Sequence, residues 1–309
     1  MRKMEIVTNI LELQLNRKTA VAIGKFDGLH VGHRKLLSRV MEQKQRGFAP
    51  CVFTFDPSPA VLFGLSDGKE LMTREEKRRA FAELGVELLV EFPLTEVSAG
   101  MEPEVFVEEI LVKGLKTGYV AAGEDVSFGR RGAGDAALLR RLGVKYGYEV
   151  ETIEKLKMYG QEVSSTYVRS RIEEGCMEEA AALLGTPYTV SGRVCHGARL
   201  GRTLGMPTVN LQPPAAKLLP PFGVYYSRVL YEDRIYGGIS NIGCKPTVTD
   251  AGQVGVETYL YDFDREIYGE EIRVQLLAFR RPEQRFASLE ALKDQVQADI
   301  AAGRKSTVV

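Results

Sequence analysis

Tryptophan is absent from this 309-residue sequence, and histidine occurs only three times. The four cysteines, Cys51, Cys176, Cys195 and Cys244, stand far apart with no C-x-x-C pair. That spacing argues against a disulfide framework or a zinc site and for reduced thiols in a cytoplasm. No apolar run approaches the roughly 20 residues that span a bilayer. The opening MRKMEIVTNI lacks the continuous apolar core of a signal peptide, so no membrane partner is expected. Neither charge is in excess: Lys+Arg and Asp+Glu number 41 each, which leaves no reason to expect nucleic acid as the main partner. Small anions can still be gripped locally. No repeat, no low-complexity tract and no G-x-x-x-x-G-K-[ST] loop occurs. What is present is ordinary globular composition, 44% apolar and 27% charged, in a chain long enough for two domains.

Those domains show as two rhythms. Up to about residue 185, short apolar runs alternate with helical patterns. TAVAIG, CVFTF, VELLVEF, YVAAG and YEVETIEKL read as strands. Between them, RKLLSRVMEQKQRG places Leu36, Leu37, Val40 and Met41 on one helical stripe. TREEKRRAFAELG opens with a Thr73–Glu76 capping box and closes at Gly85, and PEVFVEEILVKG and DAALLRRLGVKYG also read as helices. Strand–helix alternation predicts an α/β, doubly wound, mostly parallel sheet, which binds ligands beyond the carboxyl ends of its strands. After LLGTPY the rhythm changes. GVYYSRVLYEDRIYGGISN reads as two strands about a turn near Glu232–Asp233; VETYLYDF and EEIRVQLLAF are strands, and ASLEALKDQVQADIAAG is a terminal helix. Such strands suggest a small antiparallel barrel with a helix on it. The boundary falls near Gly185–Pro187, giving domains 1–185 and 186–309.

Two of the three histidines, His30 and His33, sit in TAVAIGKFDGLHVGHRKLL, where a strand turns into a helix. Gly28 and Gly32 let the backbone approach a ligand closely. The helix that follows offers free N–H groups and the positive end of its dipole to an anion, and imidazoles add donors there. These parts suit holding phosphate and stabilising charge during its transfer. A surface turn, or a metal-ligand pair, remains open on the residues alone; metal binding needs further ligands, for which only His196, cysteines or carboxylates remain. Later, Ser164, Ser165 and Thr166 are helix-capping types, with Arg169 about one turn into the helix they open. Hydroxyls, N–H groups and a guanidinium then suit one polyphosphate, although an ordinary capped helix reads the same way.

GKFDGLHVGH resembles the H-x-G-H signature of the nucleotidyltransferase superfamily, in the longer G-x-F-D-G-x-H-x-G-H form typical of bacterial FAD synthetases, the bifunctional riboflavin kinase/FMN adenylyltransferases. VSSTYVRSRIEEG is similar to the superfamily's S-S-T-x-[IV]-R element, and GEDVSFGRRGAGD to the family's glycine-rich segment near the flavin. The resemblance implies a Rossmann-like domain that binds ATP through Gly24, Phe26, Asp27, Gly28, His30, His33, Ser165, Thr166 and Arg169, with Asp125 at the flavin. His30, His33 and Arg169 are implied to be catalytic. Three positions depart from the pattern: Ser58 in FDPSP replaces a usual histidine, Val126 a common aromatic, and Lys25 a frequent asparagine.

GRVCHGARLGRTLGMPTVNL resembles the riboflavin kinase signature, with Val209 in place of the usual alanine. VETYLYDFDREIYGEEIRV, GGISNIGCKPT and RRPEQRF also fit the kinase pattern. The resemblance implies a six-stranded antiparallel β-barrel with a terminal helix. It assigns Gly197, Gly201, Arg202, Thr208 and Asn210 to ATP, with Arg199 beside them in the loop closing over the phosphates. Thr208 and Asn210 would also serve Mg²⁺ carried with ATP, and Glu257 would be the catalytic glutamate at the flavin's hydroxyl. His196 reads as loop structure. The expected function is therefore bifunctional flavin cofactor synthesis: riboflavin to FMN, then FMN to FAD with release of pyrophosphate. A riboflavin kinase with a weakened or inactive adenylyltransferase half, prompted by Ser58 and Val126, is the second reading, and a non-catalytic flavin-binding regulator the third. Expected partners are riboflavin, FMN and ATP, and the chain is expected to be a cytoplasmic monomer or weak homo-oligomer.

Overall fold

A computed structural model describes residues 3–9, 15–64, 67–197, 205–245 and 253–306. The chain divides into two compact units, Met1–Ser165 and Thr166–Val309.

In the first unit, apolar runs too short for helices line up as a six-stranded parallel sheet. Its strands are β1 (Glu5–Val7), β2 (Thr19–Ile23), β3 (Ala49–Asp56), β4 (Leu88–Pro93), β5 (Thr117–Gly123) and β6 (Glu149–Ile153), in the order β1-β4-β3-β2-β5-β6. All five residues of β2 are buried, as a central strand covered on both faces requires. One face of β2–β5 (Ala20, Ala22, Val52, Leu89, Tyr119, Ala121) packs on helices α1 (Val31–Glu42) and α2 (Arg74–Glu83) through Leu36, Leu37, Val40 and Phe81. The other face (Val21, Ile23, Phe53, Val90, Val120) packs on α3, which begins at Pro103–Val105 and continues through Phe106–Gly114, and on α4 (Ala136–Tyr146). The sheet is thus doubly wound, as the alternation predicts. The chain leaves β2 toward β3 in one direction and returns past it to β5 in the other. The carboxyl ends of β2 and β5 therefore flank the crevice where such sheets take ligands.

Several sequence signals are realised in detail. The Thr73 hydroxyl accepts from the Glu76 N–H at 3.2 Å while the Glu76 carboxylate accepts from the Thr73 N–H at 2.9 Å, completing the capping box of α2. Asp135 caps α4, and left-handed Gly147 ends it. α3 differs from expectation: residues 106–114 form wide i→i+5 turns, with Leu115 N–H donating to Ile110 C=O at 2.9 Å. A small hairpin, β7 (Lys157–Met158) with β8 (Gln161–Glu162), leads to α5 (Ser165–Glu173), the helix on which the first unit ends.

The second unit takes in the rest of α5 and α6 (Met177–Leu184), which stops at left-handed Gly185. Six antiparallel strands follow: β9 (Tyr188–Arg193), β10 (Thr208–Leu211), β11 (Gly223–Tyr231), β12 (Arg234–Lys245), β13 (Gln253–Leu260) and β14 (Glu271–Pro282), in the order β10-β13-β12-β11-β14-β9. Cys195, two residues beyond β9, bridges to Asn210 in β10, its N–H donating to the Asn210 C=O at 2.9 Å. That bridge joins the two edges of the sheet. A terminal helix, α7 (Leu289–Lys305), starts at an Ser288 cap and packs on β12. Asp299, 1% exposed, ties it to β14 by accepting from Arg281 Nε at 2.8 Å.

Candidate active sites

The turn between β2 and α1 is built around two buried rings. Phe26 adopts φ 52° and is fully buried, its ring lying 5.1 Å from that of His33 and 5.6 Å, edge on, from that of Phe81. Gly24 has no side chain because a Cβ there would meet the Phe26 ring at 3.0 Å. Gly28 takes φ 84°, a conformation glycine adopts at no steric cost. His30 caps α1: its Nδ1 accepts from the His33 N–H at 3.3 Å. An accepting Nδ1 leaves the proton on Nε2, so His30 is a neutral imidazole with one donor to offer. Burial holds its pKa down at about 4. The two imidazoles stack at 3.7 Å with planes 19° apart. His33 is held well below the ordinary histidine range, by burial first and by His30 second. Its Nδ1 is buried with no hydrogen-bond partner among the described residues. Gly32 leaves room for this stack, since a Cβ would lie 3.2 Å from the His30 ring. Because the cap takes the His33 N–H, the N–H groups of Val31 and Gly32 remain at the positive end of a 12-residue helix. Two neutral rings and two backbone donors thus sit beyond β2, where the sheet order reverses.

Asp27 braces the same turn. Its carboxylate accepts from the Leu71 N–H at 2.8 Å, and its C=O accepts from the Ser165 hydroxyl at 2.8 Å. Ser165, from the distant Ser-Ser-Thr…Arg element, is thereby brought to the histidine turn. Thr166 and Arg169 are the second and fifth residues of α5 and belong to the second unit; Thr166 is exposed. Asp125 is exposed beyond β5 and pairs with Lys155 at 3.1 Å; a Cβ on Gly123 would crowd its carboxylate at 2.9 Å. Val126 packs against the core cluster that holds Phe106 and Phe128. Ser58 precedes a single helical turn, Pro59–Leu62, and its side chain makes no capping bond.

In the barrel, Thr208 and Asn210 lie two apart on β10, so both face one side. Asn210 stands opposite Glu257 of β13, and the Thr208 hydroxyl donates to Glu257 Oε1 at 2.6 Å. Asn210 is 4% exposed, and a Cβ on Gly197 would fall 2.6 Å from its amide nitrogen and oxygen. Gly197 is therefore a glycine because the Asn210 amide lies against it. The His196 ring lies 3.9 Å from that of Tyr268, tilted by 32°. Arg199, Gly201 and Arg202 lie outside the described residues. The geometry adds a neighbour that sequence reading missed. Asn241 of β12 is opposite Glu257 on the other flank, and its amide donates to Glu283 Oε1 at 3.1 Å. Only the pairing register could have found it, because nothing in GGISNIGCKPT singles out one polar residue.

Comparison with known proteins then decides the family. A sequence profile described as FAD synthetase matches residues 12–167, and one described as riboflavin kinase matches residues 184–307. A bifunctional riboflavin kinase/FMN adenylyltransferase from Escherichia coli is 37% identical over 92% of this chain and 91% of its own length. One from Pseudomonas fluorescens is 35% identical, with 97% of each chain covered. The chain belongs to the bifunctional riboflavin kinase/FMN adenylyltransferase family. It carries a FAD synthetase domain followed by a riboflavin kinase domain, in the order that the motifs imply. A solved structure from Streptococcus pneumoniae, titled a macrolide-efflux protein, superposes with TM-score 0.87 at 27% identity, over 98% of this chain and 99% of its own. Efflux is said there of that protein. Among the described residues here, no helix is long and apolar enough to cross a membrane.

Proposed function

We infer that this chain phosphorylates riboflavin to FMN in its barrel and adenylylates FMN to FAD in its parallel-sheet domain, with ATP as donor in both steps. The observation that carries this reading is the tandem family match over nearly the whole chain. We assign the first activity to residues 1–185, so that the whole Ser-Ser-Thr…Arg element serves it, and the kinase to residues 186–309.

In adenylyl transfer the FMN phosphate attacks the α-phosphorus of ATP and pyrophosphate leaves, with no covalent enzyme intermediate. The chain's work is alignment and charge stabilisation. Gly24, Phe26, Asp27 and Gly28 shape the turn; His30 and His33 present neutral N–H donors to the migrating charge. The Val31 and Gly32 N–H groups and the hydroxyls of Ser165 and Thr166 add donors. Arg169 supplies the guanidinium, and Asp125 the polar end of the flavin site. Neutral imidazoles suit this role, since they stabilise developing charge without a change in protonation.

In the kinase, Glu257 accepts the proton of the ribityl 5′-hydroxyl as that oxygen attacks the γ-phosphorus of ATP in line and ADP leaves. Thr208 fixes the carboxylate through its 2.6 Å bond. Gly197, Gly201 and Arg202 hold the ATP phosphates. Thr208 and Asn210 offer neutral oxygens to Mg²⁺, a hard ion that keeps several waters and takes its charged ligands from ATP. When bound, that ion neutralises the phosphates. We place the enzyme in the cytoplasm, in keeping with four free cysteines, as a monomer or weak homo-oligomer that binds no nucleic acid.

Purified protein given riboflavin, ATP and Mg²⁺ is expected to yield FMN and then FAD by chromatography; formation of neither would overturn the assignment. Ser58 and Val126, standing where the resemblance has a histidine and an aromatic, favour one second reading, a kinase with a weakened first half. FMN accumulating without FAD under excess ATP would select it.

A further inference from the structure

We propose that a cleft between the outer face of β11–β12 and the last turn of α7 is a second small-molecule site, for a mononucleotide: a phosphate monoester carried on a flat aromatic body. The inference does not rest on the activities assigned above. The cavity measures about 550 Å³, within the range of sites that hold small organic ligands. It is separate from the kinase centre. Glu257 pairs with Asn241, whereas the cleft begins at Gly237 and Tyr261, four residues further along both strands, roughly 13 Å at the usual strand rise.

Charge selects the ligand's sign. Arg228 lines the cleft half-buried, and its Nε donates to Gln275 Oε1 at 2.8 Å, which fixes the plane of the guanidinium. No carboxylate pairs with it among the described residues, although a half-buried charge is costly to leave unpaired. Arg304, by contrast, is satisfied: both its terminal nitrogens donate to Asp262 at 2.9 Å, and it lies 4.7 Å over the Tyr261 ring. The Arg304–Asp262 pair cancels, so the lining keeps the one positive charge of Arg228. A guanidinium fork held in one plane matches two phosphate oxygens.

Shape selects the rest. Ile235 lies on the same face as Arg228 and is 64% exposed, an apolar rim that a flat ring would cover. Tyr261 lines the cleft beneath Arg304, and its hydroxyl is buried against the last turn of α7. Gly303 permits this, because any Cβ there would collide with the Tyr261 oxygen.

Hydrogen–deuterium exchange on the full chain, with AMP, FMN or inorganic phosphate as probe, tests the site. AMP or FMN is expected to slow exchange across 226–238 and 300–305, and whichever does so names the source of the nucleotide. Arg228→Gln should weaken that protection about tenfold, the loss of a charge-assisted bond. Ile235→Glu, an exposed change that puts a negative charge at the mouth, should weaken it as well. Protection around 24–34 or 208–211 reports the catalytic sites and serves as an internal control for both variants. The proposal is overturned if neither nucleotide protects the cleft, if inorganic phosphate protects it equally, or if both variants keep wild-type protection.

Discussion

The glycines around His30 and His33 pointed to a phosphate site in the sequence, but the charge state of the two rings was not legible there. Their neutrality comes from Phe26 and the rest of a core assembled by remote strands, and His30 acts as a helix cap, a part that histidine seldom takes. Unfolded, an imidazole titrates near 6.5, whereas folded His30 takes its proton only near pH 4. Between those values the unfolded chain binds more protons, so stability must fall as pH drops from 6.5 to 4, by up to about 3 kcal/mol from His30. Urea unfolding of wild type and His30→Asn, which keeps a capping side chain, checks this: the variant should show a flatter pH dependence, and an identical slope would refute the burial argument. In the kinase, Glu257→Gln should lower the rate of FMN formation by roughly 10²–10⁴ while FAD formation from supplied FMN persists. Gly197→Ala must displace the Asn210 amide, and a loss of roughly 10²-fold in kcat/KM for FMN formation is expected. Steady-state kinetics with varied ATP would show it, and wild-type kinetics would mean that Asn210 is not held where the reaction needs it.

Among the elements, long periodic stretches were readable and short ones were not. β2 to β5 declare themselves as apolar runs and β6 as a polar–apolar alternation, and the Thr73 box and Gly147 stop mark helix ends by local chemistry. Missed were β1, three residues with one buried side chain, and β9, where Ser and Gly interrupt the alternation. The helical spacing of 103–114 is real, but no local pattern reveals the wide turns of α3, whose Phe106, Val107, Ile110 and Leu111 join the core cluster. α1 begins three residues earlier than its apolar stripe suggests, since Val31, Gly32 and His33 are poor helix formers kept helical by the cap. α7 was readable as a helix, but its anchor was not. Asp299 and Arg281, with side chains 2% and 17% exposed, join helix to strand across 18 residues. Asp299→Ala leaves a largely buried guanidinium unpaired and should destabilise the barrel by roughly 3–5 kcal/mol. Denaturant unfolding would measure this, and a change below about 1 kcal/mol would show that the pair is dispensable.

For the molecule as a whole, two chemistries share one chain, and the order of motifs carried that message before any coordinate did. A parallel sheet reverses its strand order beside β2, and an antiparallel barrel carries a carboxylate fixed by a hydroxyl. Neither centre borrows the proposed proton-accepting or charge-stabilising groups of the other, so damage to one should leave the other at work. The most direct measurement follows FMN and FAD together, from riboflavin, ATP and Mg²⁺, in wild type and in the double variant His30→Ala, His33→Ala. Wild type should build FMN and convert it to FAD; the double variant should form FMN at an unchanged rate and stop there. FAD appearing at the wild-type rate in the double variant, or both products lost from a protein that is still folded, would contradict the assignment.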